Sequence, residues 1–111
     1  MISKKENQKK FTVPGLCGGT GTAEMQVFFE QGALPRGLVQ VSLEPGAGCG
    51  EHVHSEDGEL FFVLEGELTI LEDGSETVLH AGECEYCSGG HSHGAINRSQ
   101  SVARYLAVMM E

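Results

Sequence analysis

The sequence predicts an all-β fold, a sandwich or barrel of short strands, on three observations. Glycine supplies 16 of the 111 residues, against 3 prolines and no tryptophan, and it follows no three-residue period. That usage marks many tight turns rather than a collagen-like repeat. Short apolar runs bounded by Gly, Pro or acidic turn residues recur at near-regular spacing. No segment carries a long apolar stripe with the 3.6-residue period of a helix. Hydrophobic residues make up 40% and charged residues 21% of the chain, so global disorder is not expected. A chain of this length suits one domain and buries about two-thirds of its extended surface.

The elements follow in order. Residues 1–10, MISKKENQKK, hold four of the seven basic residues and no apolar run. Residues 1–12 are read as a flexible basic leader and residues 13–111 as a single barrel domain. Residues 14–22, PGLCGGTGT, are too glycine-rich for a regular element and read as a loop or irregular arm. This stretch lacks the lysine and following helix of a phosphate-binding loop. Strands are expected at residues 25–29, 38–43, 60–64, 68–71, 77–79, 84–87 and 102–109. Val39, Val41 and Leu43 alternate with Gln40 and Ser42, a period of two. Glu-Asp-Gly-Ser-Glu at 72–76 separates two runs as a hairpin loop does. Residues 99–109 admit a helix, but Val102, Tyr105 and Val108 suit a strand equally.

Charge excludes some partners. The net charge is -9, and beyond residue 10 only Arg36, Arg98 and Arg104 stand against 15 acidic residues. Such a surface repels phosphate backbones, which argues against nucleic acid. No run of 18 apolar residues exists to span a membrane. The N-terminal stretch lacks the apolar core of a secretion signal, so a cytoplasmic location is expected, with its four cysteines reduced.

Five histidines fall between residues 52 and 93, four of them in two close pairs. His52 and His54 flank Val53 after a Pro45-Gly46 turn, and residues two apart on a strand share a face. Ser55-Glu56-Asp57-Gly58 is turn chemistry, and a hairpin-like reversal there returns Glu59 beside the two rings. His91 and His93 repeat the spacing after Ser88-Gly89-Gly90. A closed barrel would bring both stretches to one interior point. Three imidazoles and a carboxylate leave positions open on a six-coordinate ion, the arrangement of a reactive rather than a purely structural site. Mn, Fe, Ni, Co and Zn all suit such a donor set.

These residues resemble the cupin superfamily. The first cupin motif is Gly, five residues, His-x-His, three or four residues, Glu, six residues, Gly. It is met by Gly46, His52, His54, Glu59 and Gly66. The second is Gly, five residues, Pro-x-Gly, two residues, His, three residues, Asn, met by Gly82, Gly90, His93 and Asn97 with Ser88 in the proline's place. The resemblance implies a small double-stranded β-helix, or jelly-roll barrel, of the single-domain kind. It implies one divalent transition metal held by His52, His54, Glu59 and His93, a small-molecule ligand in the barrel, and a homodimer. Asn97 would then be structural rather than a ligand.

Other residues carry weaker signals. His91 is read as a fifth ligand, a proton-transfer group, a residue at the cavity mouth, or simply an exposed turn residue. His80 is a bystander. Cys84 and Cys87 lie three apart in a strand, face opposite sides and pack rather than react. Cys49, three residues before His52, can approach the cavity. Tyr86, Gln40, Arg36 and Arg104 are candidates for polar contacts to a ligand; Arg104 inside the barrel would pair with a carboxylate. Tyr86 and His91 are the candidates for assisting catalysis. Two functions remain: a metalloenzyme of the dioxygenase, decarboxylase, isomerase or lyase type acting on a small polar or acidic molecule, or a binding or sensing barrel without turnover.

Overall fold

In the computed structural model, which describes residues 1–30 and 37–110, alternation within each strand sets the inner wall. Strand β3 (Leu38–Leu43) turns Val41 and Leu43 into the core. Strand β5 (Gly58–Glu65) turns in Phe61 and Val63, and β10 (Ala103–Met110) turns in Ala103, Tyr105 and Ala107. Leu68 and Ile70 of β6 (Glu67–Glu72) close the core from the other side. The remaining strands are β1 (Lys9–Pro14), β2 (Thr22–Phe29), β4 (Gly48–His54), β7 (Ser75–His80), β8 (Cys84–Cys87) and β9 (His91–Ile96).

Two antiparallel sheets face one another. One runs β1-β2-β3-β10-β5-β8 and the other β4-β9-β6-β7. Chain neighbours such as β3 and β4, or β4 and β5, lie in opposite sheets, as a jelly roll requires. The hairpin at 72–76 forms as expected: Glu72 pairs with Ser75 around Asp73-Gly74, both at positive φ, the type I′ geometry that matches strand twist. The motif glycines Gly46, Gly66, Gly82 and Gly90 also take positive φ where the chain turns. Ser88, in the proline's place, still accepts a hydrogen bond from the backbone N–H of His91 at 3.2 Å.

Two expectations need adjustment, and one open choice between helix and strand is decided for the strand. Lys9–Thr12, assigned to the leader, belong to β1 and pair with β2 from Lys9↔Val27 to Thr12↔Glu24. The reversal at 55–57 is not a hairpin within one sheet; it carries the chain from β4 to β5 in the facing sheet. Residues 103–110 are a strand, between β3 and β5. Arg36 lies outside the described residues. Among the described residues no helix is long and apolar enough to cross a membrane.

Candidate metal centre

The β4–β9 ladder pairs His52 directly with His93 and His54 with His91, so their side chains share one face. A register irregularity between Cys49 and His52 adjusts β4 just before the pair. Glu59 reaches the same point from the facing sheet, since on β5 it shares the inward parity of Phe61 and Val63. Its Oε1 lies 3.1 Å from His52 Nε2, 3.2 Å from His54 Nε2 and 3.0 Å from His93 Nε2. His93 Nε2 is 3.1 Å from His52 Nε2. The four donor atoms lie within 4.8 Å of one another.

Each ring is aimed from behind. His52 Nδ1 donates to the Gly50 carbonyl at 2.8 Å, His54 Nδ1 to Asp57 at 3.1 Å and His93 Nδ1 to Glu85 at 2.8 Å. With the proton on Nδ1, each Nε2 presents a lone pair to the centre. Three lone pairs and an anionic oxygen then crowd one volume in which none can donate to another. Only protons or a cation can reconcile them. Protons alone leave their mark on the acidities. Burial opposes charge on Glu59, yet hydrogen bonds from His52 and His93 and the charge on those rings hold its carboxyl down at about 2. Burial also opposes charge on His93, but Glu59 and Glu85 overcome it and lift the ring to about 9. The hydrogen bond to Glu59 raises His52 against its own desolvation.

A metal ion fits the same space without extra protons. Adjacent ligands on an octahedral ion with bonds of about 2.1 Å stand about 3.0 Å apart, and on a tetrahedral ion about 3.4 Å. The separations of 3.0–3.2 Å match octahedral edges. Four protein donors leave two positions of such an ion free.

His52, His54 and Glu59 line a cavity of about 230 Å³ together with Met25, Val41, Cys49, Phe61, Tyr105 and Met109. It adjoins a second hollow of about 370 Å³ through Met25, Glu59, Ala107 and Met109. At roughly 30 Å³ per water, the inner cavity suits a ligand of a few heavy atoms rather than the larger molecules that fill sites of about 300–1,000 Å³. Phe61 stacks on His93 at 4.3 Å and seals its far side. The Tyr105 hydroxyl is buried at the cavity beside the Cys49 thiol.

The other candidates divide. Cys49 does reach the cavity, its Sγ 4.0 Å from His52 Nδ1. His91 does not join the centre: it is exposed and bonds Asp73 at 2.6 Å. Tyr86 faces outward on β8, 46% exposed, with its hydroxyl packed over Gly58. Arg104 lies on the outer face and pairs with Glu65 at 3.0 Å, while Tyr105 takes the inward place; an arginine inside the barrel is therefore overturned. Gln40 shares that outer face. Asn97 is fully buried and structural, its amide donating to the carbonyls of Leu43 and Ser101 at 2.9 and 2.7 Å. Cys87 is buried and Cys84 exposed, as opposite faces require. His80 is exposed, 3.5 Å from Glu67. Sequence reasoning missed Glu85, although its signal was present: it shares the parity of buried Cys87, so a carboxylate stands at an inward position.

Residues 39–109 match the Cupin domain family. An oxalate-binding protein from Thermotoga maritima is 27% identical over 101 residues, which span 88% of this chain and 84% of the relative. The crystal structure of a predicted oxalate decarboxylase from Thermotoga maritima, 25% identical, superposes with a TM-score of 0.92 over 99% of this chain and 98% of that one. A sugar phosphate isomerase from a cupin superfamily in Silicibacter pomeroyi, 29% identical, gives a TM-score of 0.67 over 78% of this chain and 59% of that one. With the family match spanning more than half of its length and both motifs converging on one interior point, the chain belongs to the cupin family.

Proposed function

We propose that the protein holds one divalent transition metal on His52, His54, Glu59 and His93, and that the free coordination positions take a small dicarboxylate of the oxalate class. The observation that carries this reading is the meeting of three Nε2 lone pairs with one carboxylate oxygen at 3.0–3.2 Å. The bound ion would act as a Lewis acid toward a chelating dianion. Among the described residues that line the inner cavity there is no arginine or lysine, and Lys9 of the adjoining hollow pairs with Glu30, so the reading assigns to the ion the positive charge that a dianion needs. The oxalate-binding relative supports the ligand class, and the small cavity supports its size.

A second reading, turnover of the bound acid, rests on Tyr105. Its buried hydroxyl, beside the Cys49 thiol, is a proton donor on the cavity wall. Among the described residues the cavity wall offers no carboxyl or imidazole beyond the proposed ligands, which favours binding as the first reading.

The test is calorimetric titration of oxalate into protein purified free of metal and then loaded in turn with Mn, Fe, Co, Ni or Zn. One oxalate per bound ion is expected, with none taken up by the metal-free protein or by His52→Ala. Equal oxalate binding with and without metal would overturn the proposal. Formate or carbon dioxide release from the loaded samples would select turnover.

A further inference from the structure

The glycine-rich arm has a second role in the structure besides linking β1 to β2. Residues Leu16–Gly18 form a single tight turn that lies against β4. The backbones meet there with no room for side chains: a Cβ on Gly50 would overlap the carbonyl oxygen of Cys17, and one on Gly19 that of Gly48. Gly48 N–H donates to Thr20 O at 2.8 Å, and Thr20 Oγ1 to Gly46 O at 2.7 Å, fixing the arm on the strand. Leu16 and Cys17 thereby become part of the cavity wall.

The contact brings two cysteines together. The Sγ atoms of Cys17 and Cys49 lie within 4.8 Å of one another. Cys17 is held at φ 50, a left-handed conformation that non-glycine residues rarely adopt and that surrounding contacts must enforce. Cys17 is exposed and Cys49 is buried. A third donor, His52, belongs to the same cluster, but its Nδ1 is already committed to the Gly50 carbonyl. The arrangement therefore suits sulfur–sulfur chemistry better than a second metal.

We propose that Cys17 and Cys49 are an oxidative modification site, closing a disulfide between the arm and the histidine-bearing strand when the protein meets a peroxide. The exposed Cys17 sulfur attacks the peroxide O–O bond, giving a sulfenic acid and one water. The Cys49 sulfur then attacks the Cys17 sulfur, forming the S–S bond and expelling the sulfenic oxygen as a second water. Two thiols and one hydrogen peroxide thus become one disulfide and two waters. The crosslink pins the arm, which walls the cavity, onto β4. Formation of the bond stands apart from the metal reading; only the slower exchange of metal expected of the crosslinked protein rests on it.

The experiment treats the full chain, in a Cys84→Ser background that removes the other exposed thiol, with hydrogen peroxide. Quenched samples are alkylated and digested with trypsin and a Glu-specific protease, which isolates Cys49, between Arg36 and Glu51, from Cys87. A Cys17–Cys49 linked peptide that disappears on reduction is expected, with both thiols lost in parallel. Cys17→Ser, at an exposed position, should keep the melting temperature and leave Cys49 as a free thiol. Oxidation of Cys17 to sulfinic acid with Cys49 still free, or linkage of Cys17 to any other cysteine, would overturn the proposal. Chelator extraction of metal from the linked and reduced forms then reads the consequence separately. A several-fold slower loss from the linked form is expected, and equal rates would remove the effect on metal exchange while leaving the crosslink intact.

Discussion

Glu85 Oε1 lies 2.8 Å from His93 Nδ1, and both side chains are closed to solvent. The carboxylate accepts the ring N–H, fixes the tautomer that turns Nε2 inward and strengthens that nitrogen as a donor. Removing it frees the ring to take the wrong tautomer. Glu85→Ala should weaken metal affinity by about 10–100-fold, with the four proposed ligands untouched. Glu85→Gln keeps an acceptor oxygen and should lose less. Competition against a fluorescent chelator ranks the three proteins, and equal affinities would show that His93 needs no partner behind it.

The proposed ligands should separate metal binding from stability. His52 is partly exposed, so His52→Ala removes a donor at little cost to packing. His93 is fully buried and stacks on Phe61, so His93→Ala also opens a hole in the core. Both variants should lose metal, measured by elemental analysis after loading and desalting. Only His93→Ala should also lose stability in the metal-free state, by about 2–4 kcal/mol, the range for large-to-small core changes. Wild-type metal content in both variants would contradict the ligand assignment.

Strands, turns and the His52-x-His54 spacing are legible in the sequence because they depend on short-range regularities, whereas the jelly roll and the meeting of all four residues are implied by the resemblance to the two cupin motifs. Strand alternation at Val39–Leu43 and turn residues at Asp73-Gly74 are local, and the observed β3 and β6–β7 hairpin follow them. The His52-x-His54 spacing works the same way, since a period of two is all that places both rings on one face. What stayed hidden depends on register across the barrel. Arg104 and Tyr105 are adjacent, and only the pairing of Tyr105 with Val63 and Val41 decides which of them points inward. Glu85 shares a strand parity with Cys87, but that it stands behind His93, and that Cys17 lies beside Cys49, depends on separate turns of the chain that no local pattern joins.

Asn97 tests the scaffold rather than the site. Its Nδ2 serves two backbone carbonyls, and its Oδ1 accepts from Ser99 N–H at 2.9 Å and Ser99 Oγ at 2.7 Å. These bonds tie the end of β9 to β3 and to the loop before β10. Asn97→Ala strands the Leu43 carbonyl in the core, and each buried group left unpaired costs about 1–3 kcal/mol. A loss of about 2–4 kcal/mol is expected, with metal stoichiometry per folded chain unchanged. For a domain near 100 residues that lowers the melting temperature by about 10–20 °C, readable by calorimetry. An unchanged melting temperature would deny Asn97 its structural role.

The protons that stand in for the ion predict how stability follows pH. In metal-free protein His93 is lifted from 6.5 to about 9, so the stability it contributes is fully present below 6.5 and disappears as pH rises through about 9. Glu59 is lowered from 4.5 to about 2, so its contribution is present above 4.5 and is lost as pH falls through about 2. On these two groups the metal-free barrel is most stable between 4.5 and 6.5. A metal ion must displace the imidazole protons, so its affinity rises with pH while the proton-bound form weakens. Thermal unfolding with and without a saturating divalent ion should therefore give curves that diverge as pH is raised from about 6 to 9, with the loaded protein keeping its melting temperature. Proton release on metal addition in weakly buffered solution should accompany the divergence. A metal-induced gain that is largest at acid pH would mean that the ion binds without displacing protons from His52 and His93.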